Sequence, residues 1–151
     1  MANLEDIITS KVRIKILKLF FANPTEMYHV RGIVRETAEE INAVRRELLR
    51  LETAGLVKKE PRGNRIYYWV RDDYKLYGDL VSIIAKETGL GASIIANKSK
   101  IGKIGFIMFS GKFTRYKPRK KDEEVDILVV GEIVLPELAT LIRVEESKRG
   151  R

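Results

Sequence analysis

Residues 41–54, INAVRRELLRLETA, and residues 55–70, GLVKKEPRGNRIYYWV, hold the pattern from which the rest of the chain is read. Ile41, Val44, Leu48 and Leu51 recur at the spacing of a single apolar helix stripe laid on a core. The stripe predicts a helix over 41–54, ended by Gly55. With the stripe inward, helical geometry puts Asn42, Arg46 and Thr53 on the opposite side. Ala43 and Arg50 flank one edge of that face and Arg45 the other. Two β-prone runs follow, 56–60 and 65–70, around the turn Pro61-Arg62-Gly63-Asn64. Such a pair reads as a hairpin.

Working outward, Ser10 or Thr9 can cap a long helix over 10–22. Its apolar residues cover most of the circumference and leave a narrow Lys11/Lys15/Lys18 side, so it is buried on more than one side. Asn23-Pro24 stops it. A shorter helix is expected near 27–36, with Val30, Ile33 and Val34 inward, and the break 37–40 separates it from helix 41–54. A fourth helix is expected near 73–87. Gly89 and Gly91 then mark a linker or domain edge, giving one domain over 1–88 and another over 89–151. In the second half, 103–109 reads as a strand and Ser110-Gly111 as a turn into a short helix. Val125 to Gly131 reads as a buried strand, because only Asp126 interrupts its apolar run. A short helix over 135–143 carries Pro136 in its first turn, and the charged residues 145–151 read as a frayed tail. The fold class is α+β.

Composition narrows the function. The 151 residues carry 29 Lys+Arg against 21 Asp+Glu, a formal charge of +8, with a pI near 9.7. That balance points to a polyanionic partner. There is no cysteine, which excludes a disulfide scaffold, a thiolate metal site and a thiol nucleophile. A single histidine, His29, makes a His-rich metal site impossible, and a surface or capping role is the expectation. No apolar run approaches the ~18 residues of a membrane span, and the N-terminus lacks the order of a signal peptide. The expectation is a soluble, cytoplasmic protein. Residues 97–121 hold 9 basic and no acidic residues, and Asp122, Glu123 and Glu124 follow at once. Two readings of the basic run 116–121 stand: a solvated surface loop, or a second phosphate-contacting patch.

An exposed helix face of Arg and Asn suits the major groove of double-stranded DNA. Arg pairs bidentately with guanine O6/N7 and Asn with adenine N6/N7, and Ala43 is small enough to admit a thymine methyl. Arg62, Asn64 and Arg65 at the hairpin turn can reach phosphates or the adjoining minor groove. Tyr67 can donate to a phosphate, while Trp69 reads as packing. The competing reading is a solvated helix laced by intrahelical pairs such as Glu47 with Arg50.

The order helix, helix, turn, helix, hairpin is the winged helix-turn-helix plan. Over residues 9–86 the sequence is similar to ArsR-like winged-helix transcriptional regulators of prokaryotes. INAVRRELLRLETAGLV (41–57), a basic GNR turn and YYW are the most specific part. The resemblance implies that 41–54 is the recognition helix, 61–66 the wing tip, and that the protein binds two half-sites as a homodimer. Metal-sensing members of that family use cysteine clusters, so metal sensing is not carried over.

The segment IGFIMFSGKFTRYKPRKKDEEVDILVVGE (104–132) resembles the core of the minimal nucleotidyltransferase domain, over about 103–142. In that family a Gly-Ser turn holds nucleotide phosphates, and a later strand carries two acids in an Asp-x-Asp arrangement for metal-assisted phosphoryl transfer. Here the turn is Ser110-Gly111, in reversed order and followed by Lys112. Asp126 stands at the first acid, Leu128 at the second, and Val130 is apolar too. The expectation is a small, truncated and degenerate nucleotidyltransferase-like domain without catalytic activity or cofactor, with Ser110, Gly111, Lys112 and Asp126 as a vestigial nucleotide site. Three uses remain open for it: a dimerisation platform, a site for a nucleotide or small-molecule effector, and a basic loop on nucleic acid. The leading function is sequence-specific DNA binding in transcription regulation. Nucleotidyl transfer to a protein or small acceptor is the alternative, and binding of structured RNA a further one.

Overall fold

The computed structural model describes residues 2–118 and 124–150. The chain is α+β and divides into two units, Met1–Ile84 and Ala85–Arg151, against the boundary of 88/89 expected from Gly89.

In the first unit, a single 3-10 turn, Leu4–Asp6, precedes α1, Lys11–Ala22. The Ser10 hydroxyl accepts from the Arg13 amide at 3.2 Å and caps α1, satisfying one of the donors that every helix start leaves open. Ile14, Ile16, Leu17, Phe20 and Phe21 are buried, so α1 is the central rod of the core, as its wide apolar arc requires. Two of its three lysines are paired: Lys15 with Glu39 and Lys18 with Glu5. The second helix, α2, spans Val30–Thr37 rather than 27–36. The residues before it form a short strand, β1, Tyr28–His29, which no local pattern announces. The α3 helix, Ile41–Thr53, follows a turn whose Ala38 is left-handed at φ 53°. Val44, Leu48 and Leu51 are buried, and Ile41 is half-buried.

The strands β2, Val57–Arg62, and β3, Arg65–Val70, form a hairpin closed by the two residues Gly63 and Asn64. The expected four-residue turn is tighter, because Pro61 and Arg62 still pair with Ile66 and Arg65. The sheet order is β1-β3-β2, with Tyr28 opposite Tyr68 and His29 opposite Tyr67. Tyr68 and Val70 face the core, while Tyr67 and Trp69 are half-buried. The α4 helix, Tyr77–Glu87, starts four residues later than expected and adds Val81 and Ile84 to the same core.

The second unit holds α5, Gly89–Ala96, α6, Lys98–Ile101, and β4, Gly102–Phe109. It continues with α7, Gly111–Thr114, β5, Ile127–Ile133, and α8, Leu135–Arg149. Gly89 and Gly91 are therefore helical rather than a linker. At Gly91 the reason is close packing: a Cβ there would sit 2.0 Å from the Ala85 carbonyl oxygen. β4 and β5 make a two-stranded antiparallel sheet, with a bulge at Gly105 between Ile104 and Phe106. Its inner face, Ile104, Ile107, Phe109, Ile127, Val129 and Ile133, packs on Leu90, Ile94, Ile101, Phe113 and Leu138. The expected fully buried strand is thus covered on one face only, since Leu128 and Val130 are exposed.

The predicted frayed tail is also corrected: α8 runs to Arg149. The Arg149 guanidinium lies 3.7 Å from the centre of the Phe113 ring and 3.9 Å from that of Tyr116. It donates to Glu145 at 2.6 Å and to the Phe113 carbonyl at 2.7 Å. Both side chains of this ion pair are more than nine-tenths buried.

Candidate nucleic-acid interface

The exposed side of α3 is set by its first residue and by one ion pair. Glu40 caps the helix, its two carboxylate oxygens accepting from the Asn42 amide at 2.8 Å and the Ala43 amide at 3.0 Å. Those two backbone donors, aided by the nearby Arg46 and Arg45 charges, hold its carboxyl below the usual value. Capping by an ionised carboxylate also suits the positive end of the helix dipole. Downstream, Asn42, Arg45, Arg46, Leu49, Arg50 and Thr53 are exposed, while Ala43 is half-buried.

Glu47 does not form the intrahelical pair with Arg50 that the solvated-helix reading expects. It turns to α1, where Arg13 donates to it through Nε at 2.9 Å and Nη2 at 3.2 Å, and the Ser10 hydroxyl lies at 3.4 Å. Among the described residues Arg45, Arg46 and Arg50 make no ion pair. The face carries Arg45, Arg46 and Arg50, with the Glu40 carboxylate near Arg46 and Arg45 at its start, while the Glu47 carboxylate fastens α3 to α1.

The hairpin brings a second cationic edge beside it. Arg62, Asn64, Arg65 and Ile66 are exposed at its tip. Arg62 is already engaged: it meets Glu60 at 3.2 Å, and its guanidinium sits 5.9 Å from the Tyr67 ring centre. Arg65 makes no ion pair among the described residues. A groove of about 570 Å³ lies between the start of α2, α3 and the hairpin tip, and Arg31, Arg45, Asn64 and Arg65 line it together with His29 and Tyr68. No carboxylate lines it. Three unpaired guanidiniums around one open groove form a surface suited to a phosphate backbone.

His29 is the cap of α2: its Nδ1 accepts from the Gly32 amide at 2.7 Å. That role fixes Nδ1 as an acceptor and, in the neutral ring, places the proton on Nε2. Its ring also lies 5.6 Å from that of Tyr67. Tyr67 is thus held between His29 and Arg62 instead of standing free at the surface.

The sequence reading missed Arg31 and two exposed apolar side chains, Leu49 and Ile66, at 63% and 42% exposure. Leu49 had a signal, an apolar residue off the inward stripe. Arg31 had none, because the expected helix start at 27 left its place in the first turn of α2 unread.

In the second unit, the Ser110 hydroxyl caps α7 by accepting from the Phe113 amide at 3.1 Å, and the Ser110 amide donates to the Asp126 carbonyl at 2.8 Å. This brings Ser110, Gly111 and Asp126 together. Asp126 precedes β5 rather than lying inside it. Lys112 is ion-paired with Glu124. The acid nearest to Asp126 in sequence is Glu124, two residues upstream, and not a residue on the Leu128 side. Among the described residues no three metal-ligating side chains cluster. In the basic run only Tyr116, Lys117 and Pro118 fall in the described part; Arg119, Lys120 and Lys121 lie outside it, as do Asp122 and Glu123. Among the described residues no helix is long and apolar enough to cross a membrane. Compared with known proteins, the chain matches no family model, no curated protein and no solved structure.

Proposed function

We propose that the chain is a sequence-specific double-stranded DNA-binding transcriptional regulator of the winged helix-turn-helix type, acting as a homodimer. The observation that carries this reading is the face of Arg45, Arg46 and Arg50, none of them ion-paired among the described residues, beside the groove of Arg31, Arg45 and Arg65. In this reading α3 is the recognition helix and enters the major groove. Asn42, Arg46 and Arg50 read base edges. Arg31, Arg45, Asn64 and Arg65 hold the flanking phosphates, and β2–β3 is the wing. Arg62 and Tyr67 pack against each other along the wing.

The second unit, in the same reading, is a degenerate nucleotidyltransferase-like domain that serves dimerisation or the sensing of a nucleotide or other small effector. Its described residues do not fit a two-metal centre. Glu124 is occupied by Lys112, Leu128 supplies no carboxylate, and the described residues gather no third ligand. The test is selection of bound sequences from a random DNA pool, with labelled RNA as competitor at fixed salt. A defined site that the double variant Arg46→Ala/Arg50→Ala no longer selects supports the assignment. Unchanged selection by that variant sinks it, and preferential retention of structured RNA replaces DNA as the partner. An Asp126-dependent labelled product on incubation with ATP and Mg²⁺ would overturn the non-catalytic reading of the second unit.

A further inference from the structure

The outer face of the β4–β5 sheet is apolar and open. Phe106, Met108, Leu128 and Val130 are 54%, 45%, 43% and 50% exposed. The register puts Phe106 opposite Val130 and Met108 opposite Leu128, so the four side chains form one block. At the block's end, on the same outer face, exposed Lys103 stands opposite exposed Glu132. An antiparallel sheet that faces water ordinarily alternates apolar-in with polar-out. Here both faces are apolar, and a patch of this kind marks an interaction site.

We infer that this face is the contact surface for a second copy of the chain, packed sheet on sheet about a two-fold axis parallel to the strands. The charges select that occupant and that axis. A rotation about an axis running between β4 and β5, along the strands, places each residue over the copy of its own cross-strand partner. Lys103 then meets Glu132 of the second copy and Glu132 meets its Lys103. Phe106 lies over Val130, and Met108 over Leu128, large against smaller on both sides of the axis. An in-plane axis across the strands would instead lay Lys103 and Glu132 on the apolar end of the block. The chosen arrangement is isologous and closes on two copies, with the layers at the ordinary ~10 Å sheet spacing. Four half-exposed side chains make a small patch, which puts the contact at the low end of specific interfaces.

This deepens the homodimer part of the proposed function and is independent of DNA binding, so the test omits DNA. Sedimentation equilibrium of the full chain should show a monomer–dimer equilibrium at micromolar concentration. Lys103→Glu and Glu132→Lys should each raise the dissociation constant about tenfold or more, because each sets two like charges face to face across the axis. An equimolar mixture of the two variants should recover dimers, now as heterodimers, since each copy then meets its opposite charge. That recovery cannot arise within one chain. Phe106→Glu should leave the chain monomeric. A chain that stays monomeric at about 100 μM overturns both the surface and the homodimer. A dimer indifferent to Phe106→Glu overturns the surface alone and leaves the homodimer standing. A mixture that stays monomeric overturns the axis. Should Phe106→Glu fail to fold by far-ultraviolet circular dichroism, the two charge variants at exposed positions decide the matter. Capture of double-stranded DNA by the monomeric variants reports separately on the function reading.

Discussion

Replacing Arg31 and Arg65 together by Ala should change how DNA binding depends on salt rather than which sequence is preferred. Each phosphate contact releases condensed counterions and contributes about −0.9 to the slope of log K against log salt. The groove presents three unpaired guanidiniums, Arg31, Arg45 and Arg65, so their joint contribution is about −2.7 per protomer. Between 50 and 200 mM salt that amounts to about a 40-fold loss of affinity, and with Arg45 alone left, to about 3.5-fold. Arg62→Ala should move the slope less than Arg65→Ala, because Arg62 already has Glu60 as its counterion at 3.2 Å. Arg46→Ala should leave the slope of non-specific binding nearly unchanged and cost about 1–3 kcal/mol at one base pair. Fluorescence anisotropy on one selected duplex and one scrambled duplex, across a salt series, measures all of these. If the Arg31→Ala/Arg65→Ala protein keeps the parent slope on both duplexes, the groove is not where the backbone lies, and the division between phosphate and base contacts falls.

Three further outcomes follow from the packing. Arg149→Ala should destabilise the second unit by about 3–5 kcal/mol, because it leaves the buried Glu145 carboxylate without its partner; amide exchange along α8 reads this, and unchanged protection there would contradict the buried pair. His29→Ala should cost about 0.5–2 kcal/mol through the lost cap of α2, while His29→Asn keeps most of it. For the same reason Gly32→Ala should not give the ~1 kcal/mol that Ala usually gains over Gly in a helix, since its Cβ would stand 2.9 Å from His29 Nδ1; thermal midpoints compare the three. Asp73 is held down to about 2, chiefly by its hydrogen bonds from Arg71, from an ordinary 3.8. Its contribution is complete above about 3.8 and is lost as pH falls toward about 2, so Asp73→Asn should flatten the acid limb of a plot of thermal midpoint against pH.

The α1 and α3 helices and the β2–β3 hairpin were legible because their signals are local: an apolar period, a capping side chain, a Gly-Asn turn. What was not legible depends on residues distant in sequence. The two-residue strand β1 has no period of its own and exists only through its pairing with β3. Gly91 reads as a linker or domain edge in sequence, but it is a point of close packing on Ala85. The apolar run at 125–131 cannot say whether a strand is covered twice or once, and here the second face is open. The last turn of α8 looks like a frayed tail because it is charged, yet its Arg149 bonds to a carbonyl 36 residues away. At the vestigial site, Ser110 and Asp126 do come together, whereas the run 119–121 lies outside the described residues.

The same dependence on distant partners governs which cations can act on a ligand. In the first unit Arg13, Arg62 and Arg71 are tied to carboxylates. Arg31, Arg35, Arg45, Arg46, Arg50 and Arg65 make no ion pair among the described residues. Sequence spacing assigns Glu47 to Arg50, three residues on, which would neutralise part of the α3 face. The fold gives it to Arg13, 34 residues back. That carboxylate secures α3 against α1 and leaves Arg50 without it. A helix needing only solubility would keep that pair at its own surface, where it contributes a few tenths of a kcal/mol. Moving it inward leaves Arg45, Arg46 and Arg50 without an ion pair among the described residues. Net charge alone names no face for a polyanionic partner; in the proposed reading, the route taken by Glu47 names the outer side of α3.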